Sequence, residues 1–286
     1  MKRLFCVALA LLILLLPGCG NDADAQIVAT TLPVYEFTQK LCQGTGLSVA
    51  RLINQDISCL HDYTMTVAQM RSVESAQVTV ISGAGLEDFL HGVINGEVID
   101  ASQSLSLIEG AHDHAHDGHL HAEDPHIWLS PENAKVMASN ICQGLKAKFP
   151  DHNALFDENL TALTADLDAL QQYGENALRD LSCRELVTFH DGFTYLAESF
   201  DLRILKAVEE ESGSEASASA LIALATLVKS HELPAIFTEV NGSTAAAGVI
   251  SAETGAQIFA LDMAISGNSY FDAMRHNIDT LKEALQ

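Results

Sequence analysis

Residues 151–181, DHNALFDENLTALTADLDALQQYGENALRDL, decide how the chain is organised. Phe156, Leu160, Leu163, Leu167 and Leu170 recur at steps of four and three, and neither glycine nor proline falls between them. That spacing lines all five along one face and predicts a single long helix. On either side the pattern changes to short apolar runs rich in β-branched residues, alternating with helical stretches. Before the helix, IVAT (27–30), VARLI (49–53) and VTVIS (78–82) read as strands. MTVAQMRSVESA (65–76), GLEDFLHGVI (85–94) and SPENAKVMASNICQGLKAKF (130–149) read as helices, the last opened by Ser130 as N-cap and Pro131 at the first helical position. After it, LVTF (186–189), LRILKAV (202–208), AIFTEV (235–240) and QIFAL (257–261) read as strands. SASALIALATLVKSH (217–231) and SYFDAMRHNIDTLKEAL (269–285) read as helices. Such alternation is the pattern of a parallel sheet flanked by helices. The expected fold is therefore α/β, with two lobes, 27–150 and 183–286, joined by one long backbone helix over 151–182.

The 286 residues, 48% of them hydrophobic, suffice for two ordinary cores. The formal net charge of −23 repels phosphate backbones and attracts cations, which argues against nucleic acid as a partner. Residues 1–18 pair a basic start, Lys2 and Arg3, with an apolar run through Leu16, the pattern of a secretory signal. The run ends in LPGC, which resembles a bacterial lipobox and makes Cys19 the expected lipid anchor, with 19–26 as a polar tether. Cys42, Cys59, Cys142 and Cys183 remain, an even number in a chain expected to be exported. Disulfides are then expected, Cys42 with Cys59 first. No CxxC pair is present, so a thiolate zinc knuckle is not indicated.

Ligands of open parallel sheets sit beyond the carboxyl ends of the strands. His190 follows LVTF directly, Asp262 follows QIFAL directly, and His61 follows VARLI after a loop. His126, in DPHIWLSP, stands just before a helix start. Four candidate metal ligands thus come from four loops, two in each lobe. Three imidazoles and a carboxylate suit tetrahedral zinc, whereas manganese favours more oxygen. Spacing alone does not separate this set from ordinary surface or core residues. Glu239, in IFTEVNG, reads equally as a supporting partner, an alternative carboxylate or a solvated strand-end acid.

The stretch 111–131, AHDHAHDGHLHAEDPHIWLSP, holds a second kind of histidine. His112, His114, His116, His119 and His121 are separated by Gly118 and by aspartates, a spacing suited to weak auxiliary metal capture rather than one rigid site.

Several blocks carry a family resemblance across the chain beyond its leader: IVATTLPVYEF, HDY, ISGAGLEDFL, DPHIWLSPENA, VTFHDGFTYLAESFDL, IFTEVNG, ISAETGAQIFALD and SYFDAMRHNIDTL. They resemble the substrate-binding lipoproteins of zinc and manganese ABC importers, the cluster A-I family. The resemblance implies two lobes joined by a long helix, a metal ion in the cleft, and His61, His126, His190 and Asp262 as its ligands. It also implies an ABC permease and ATPase as partners, membrane attachment through a lipid anchor, a monomeric state and no catalysis. The implied location is the periplasm or the outer face of the cell membrane. Zinc-type members resemble this chain in having histidine where His190 stands, while many manganese-type members have glutamate. The chain departs from the family in Leu60, where proline is common, and in LDMAISG and SEASASA, which lack a proline that relatives carry. Competing readings are a manganese importer component, a metal-dependent adhesin or chaperone of the same fold, and a zinc hydrolase. The last is disfavoured because four ligands close the zinc shell and no HExxH pair exists.

Overall fold

The computed structural model describes residues 25–55, 57, 60, 63–94, 96–109, 123–209 and 217–286. The signal segment, Cys19, Cys59, His61 and the histidines from 112 to 121 lie outside the described residues. The amino-terminal sheet contains β1 (Ile27–Ala29), β2 (Val49–Arg51), β3 (Val78–Ile81) and β4 (Glu97–Asp100), all parallel, in the order β2-β1-β3-β4. Helices α1 (Leu32–Leu41), α2 (Val67–Ser75) and α3 (Pro131–Lys148) belong to this half. The carboxy-terminal sheet contains β5 (Glu185–His190), β6 (Arg203–Glu209), β7 (Ala235–Glu239) and β8 (Gln257–Leu261), again all parallel, in the order β6-β5-β7-β8. With it go α5 (Thr194–Ser199), α6 (Ala218–Ser230), α7 (Ala245–Thr254) and α8 (Tyr270–Leu285). The two sheets share one topology.

Between them runs α4, 25 residues from Asn153 to Ala177, entered through a 3-10 turn at Pro150–His152. Phe156, Leu163, Leu167 and Leu170 are buried, and Leu160 is half-buried, as the periodicity predicts. The buried face continues to Gly174. A Cβ there would lie 2.2 Å from Cε1 of Phe200, so the glycine lets that ring rest on the helix backbone. Glycine inside a helix costs about 1 kcal/mol against alanine, which this close packing offsets.

GLEDFLHGVI does not form the expected α-helix; only a 3-10 turn at Asp88–Leu90 survives. Gly85 and Gly92 both take φ of 80°, which breaks the helical path at each end, and Glu87 folds back onto the strand ends. Ser130 caps α3 as expected, its hydroxyl accepting the Asn133 N–H at 3.3 Å. β4, α1, α5 and α7 are elements the sequence reading did not assign.

One hydrophobic core runs through both lobes, taking in Phe37, Trp128, Phe156, Phe193 and Tyr270. A smaller one, with Phe189, Leu224, Ile236 and Ile250, lies beneath α6 and α7. Backbone and side-chain bonds stitch the lobes together. Leu32 N–H donates to Ile265 C=O at 3.1 Å, and the Trp128 indole N–H donates to Met263 C=O at 2.7 Å. The buried Tyr270 hydroxyl donates to Trp128 C=O at 2.8 Å. Rotating one lobe against the other would strip these polar groups and expose the shared core, so the lobes are built to hold their relative position.

Cys42, Cys142 and Cys183 are free thiols. The expected Cys42–Cys59 disulfide is therefore not seen at Cys42. Burial instead pushes the Cys42 thiol up to about 12, which makes it an inert core side chain.

Candidate metal centre

His126 is held by the residue two before it. Oδ1 of Asp124 accepts the His126 backbone N–H at 2.9 Å and faces the ring Nδ1 at 2.8 Å. Both side chains are buried, at 7% and 4% exposure. Burial alone pushes the Asp124 carboxyl upward, but the hydrogen bonds and charge from His126 outweigh it and hold the carboxyl below its ordinary value. The Trp128 ring packs edge-on against His126, with centroids 5.4 Å apart.

The segment leading to Asp124 is closed at its base. Asp124 N–H donates to Ile108 C=O at 2.8 Å, and Glu109 and Glu123 form an isolated antiparallel bridge. Tyr195, on α5 of the other lobe, clamps this base: its hydroxyl accepts Ile108 N–H at 2.9 Å and donates to Asp124 C=O at 3.0 Å. The chain thus leaves at Glu109 and returns at Glu123 beside the candidate ligand.

His190 is the last residue of β5, and Glu239 the last of β7. These strands are neighbours at the point where the chain order of the sheet reverses, the position at which open α/β sheets form a crevice. His190 Nδ1 stands 2.9 Å from Glu239 Oε1, within ion-pair distance although not aligned as a hydrogen bond. Glu239 is 6% exposed, so it is no solvated strand-end acid. His190 is 2% exposed, and its Nε2 is buried with no hydrogen-bond partner among the described residues. A buried imidazole nitrogen left unpaired costs about 1–3 kcal/mol, a cost that a metal bond removes.

The two rings, one from each lobe, meet edge to face with centroids 5.4 Å apart and planes at 83°. Two imidazoles on one tetrahedral zinc, each bonded through Nε2 at about 2.0–2.1 Å, bring their ring centres to roughly 5 Å. The observed separation fits. Gly192 keeps the approach open: a Cβ there would lie 2.9 Å from His190 Nε2, 2.7 Å from its Cδ2 and 2.8 Å from Met263 Cε.

Asp262 follows β8 as expected and is half-buried. Its Oδ1 accepts the Ala264 N–H at 2.8 Å, and its backbone exchanges two bonds with the Asn277 side chain, both at 2.7 Å. Among the described residues no three His, Cys, Asp or Glu side chains gather closely enough to hold an ion, so Asp262 does not complete a cluster with His126 and His190. His61 lies outside those residues. On either side of it, Leu60 C=O accepts the Tyr63 N–H at 3.0 Å, and Leu60 is buried in the core. Asp124 and Gly192 are the residues that reading the sequence passed over. Each stands two positions from a candidate ligand, in DPH and HDG, and that adjacency was the available signal.

A family model described as zinc-uptake complex component A, periplasmic (ZnuA), matches residues 27–284. The chain is 29% identical to the zinc-binding lipoprotein AdcA of Streptococcus pneumoniae, an alignment covering 99% of this chain and 61% of AdcA. It thus spans less than two thirds of that relative. It is 28% identical to the high-affinity zinc uptake system protein ZnuA of Bacillus subtilis, over 95% of this chain and 94% of that protein. In structure it is similar to the Zn(II)-bound ZnuA-like domain of Streptococcus pneumoniae AdcA, with a TM-score of 0.77 at 27% identity, covering 92% of this chain and 99% of the domain.

Proposed function

Because the chain belongs to the family of the periplasmic zinc-uptake complex component A, we propose that it captures Zn2+ in the cleft between its lobes and delivers the ion to an ABC importer. It is a binding component, not an enzyme. The observation that carries this reading is the pair His126 and His190, brought from opposite lobes to a separation that suits one shared zinc. In this reading His61 and Asp262 are the other two ligands, Asp262 closing on the ion from the position it holds apart from the histidine pair. One Asp262 oxygen already accepts a backbone bond, which orients the carboxylate for a single-oxygen contact. Three nitrogen donors favour zinc over manganese. The names of the two relatives, a zinc-binding lipoprotein and a zinc uptake protein, support the same cargo. In this reading the protein works outside the cytoplasm as a monomer, anchored through lipid on Cys19, and releases zinc to a permease driven by its ATPase.

The test is competition for zinc against a chromophoric chelator. The full-length protein should bind one zinc tightly, and His61→Ala, His126→Ala and His190→Ala should each lose that binding. Unchanged affinity in His190→Ala would remove it from the site and undo the reading.

A further inference from the structure

His126 and His190 belong to different lobes and different local structures, yet each has a buried carboxylate beside its Nδ1. The carboxylate comes from the same lobe in both: Asp124 at 2.8 Å as a hydrogen-bond partner, and Glu239 at 2.9 Å, at ion-pair distance without hydrogen-bond alignment. A buried carboxylate is costly to desolvate, and an apolar residue of similar size would pack a strand end or turn at lower cost. A carboxylate accepts protons and does not donate them. Facing Nδ1, it therefore places the ring proton there and leaves the lone pair on Nε2. On His190 that Nε2 is the buried nitrogen beside Gly192.

We propose that Asp124 and Glu239 are paired positioning residues that lock both rings in the Nδ1–H tautomer, so that two Nε2 lone pairs converge on one zinc ion from opposite lobes. This rests on reading the cleft as a zinc site. Neither acid is a ligand; each acts through its histidine. The arrangement also makes each imidazole a stronger donor, because the carboxylate stabilises the charge that the ring acquires on binding a cation. Each lobe thereby contributes one preset nitrogen donor, with its ring oriented before the ion arrives.

The experiment uses the full chain with Asp124→Asn, Glu239→Gln, Asp124→Ala and Glu239→Ala. Zinc affinity is measured by chelator competition. The ring tautomers of the zinc-free protein are read from 15N chemical shifts at alkaline pH, and folding is followed by thermal melting. Each alanine variant should lose zinc affinity by roughly 10–100-fold. Its histidine should shift from the Nδ1–H form to a mixture. The amide variants should fall between wild type and alanine, since an amide oxygen can still accept the Nδ1 proton but carries no charge. Wild-type affinity and unchanged ring signals in folded Asp124→Asn and Glu239→Gln would overturn the proposal. So would a lowered melting temperature with tautomers and affinity unmoved, which is the signature of a purely structural role. If His126→Ala and His190→Ala also keep tight zinc, the cleft reading itself fails; if they lose it while the acid variants do not, only this inference fails.

Discussion

The two lobes carry the same four-stranded order, β2-β1-β3-β4 and β6-β5-β7-β8, and each has a crevice where that order reverses. They use it in opposite ways. In the amino-terminal lobe the crevice between β1 and β3 is filled from within by Glu87. Its Oε1 accepts the Thr30 hydroxyl at 2.6 Å and the Ser82 N–H at 2.7 Å, and its Oε2 accepts the Gly83 N–H at 3.0 Å. In the carboxy-terminal lobe, the crevice between β5 and β7 holds His190 with a buried nitrogen unpaired among the described residues. One sheet consumes its own strand-end donors, and the other presents a side chain to the cleft. The difference teaches that topology alone does not make a site; a site arises where a strand end is not already satisfied by the chain itself. It also accords with the place of the described amino-terminal candidate ligand, His126, which stands before α3 rather than at a strand end.

The comparison breaks most completely if the open crevice is plugged. Gly192→Val would drive a side chain into His190 Nε2 and should cost more zinc affinity than the roughly 100-fold upper end expected of a supporting residue. Chelator competition on the folded protein measures it; the zinc-free melting temperature should fall too, because the new side chain overpacks the buried His190 and Met263 at a cost of about 1–3 kcal/mol. Tight binding in this variant would show that Nε2 does not face the ion.

The filled crevice makes its own prediction. Burial pushes the Glu87 carboxyl up from 4.5 to about 7, against the hydrogen bonds from Thr30, Ser82 and Gly83. A raised folded-state value means the folded protein holds its proton longer than the unfolded chain. The stability linked to Glu87 is thus fully present below pH 4.5 and is lost as pH rises through about 7. The shift corresponds to roughly 3 kcal/mol as an upper figure. Glu87→Gln should flatten that slope, read by urea unfolding of zinc-free protein below and above this window. An unchanged slope would mean the acid is ionised throughout.

The smallest expected effect sharpens the contrast between fixed and auxiliary histidines. Deleting residues 111–121 removes five histidines but leaves the Glu109–Glu123 bridge and the Tyr195 clamp to hold the loop base. Calorimetry should still show one tight zinc, with additional weaker binding gone and the melting temperature nearly unchanged. Loss of the tight site would place one of its ligands in the deleted run.

Much of this was legible in the residues because it depends on local periodicity. The steps of four and three from Phe156 to Leu170 reported a helix, and the β-branched runs reported strands, since burial of one face or one run is a property of neighbours in sequence. Where the expectation failed, the competing force was distant. GLEDFLHGVI has helical spacing, but Glu87 finds donors at Thr30 and Ser82, and those bonds outweigh the local preference. The Cys42–Cys59 pairing rested on proximity along the chain, which did not foresee Cys42 packing into the core as a free thiol.

By itself, the sequence determined the two-lobed α/β plan, the long helix between the lobes, the acidic character and the residue types offered at the strand ends. These follow from side-chain chemistry and spacing within a few turns or strands. Only the tertiary structure decided that His126 meets His190 at 5.4 Å, that Asp124 and Glu239 stand behind them, and that Glu87 closes the opposite crevice. The physical reason is that each of these rests on where two separate chain segments are brought by a common core, and on which buried polar atoms that core leaves paired or unpaired.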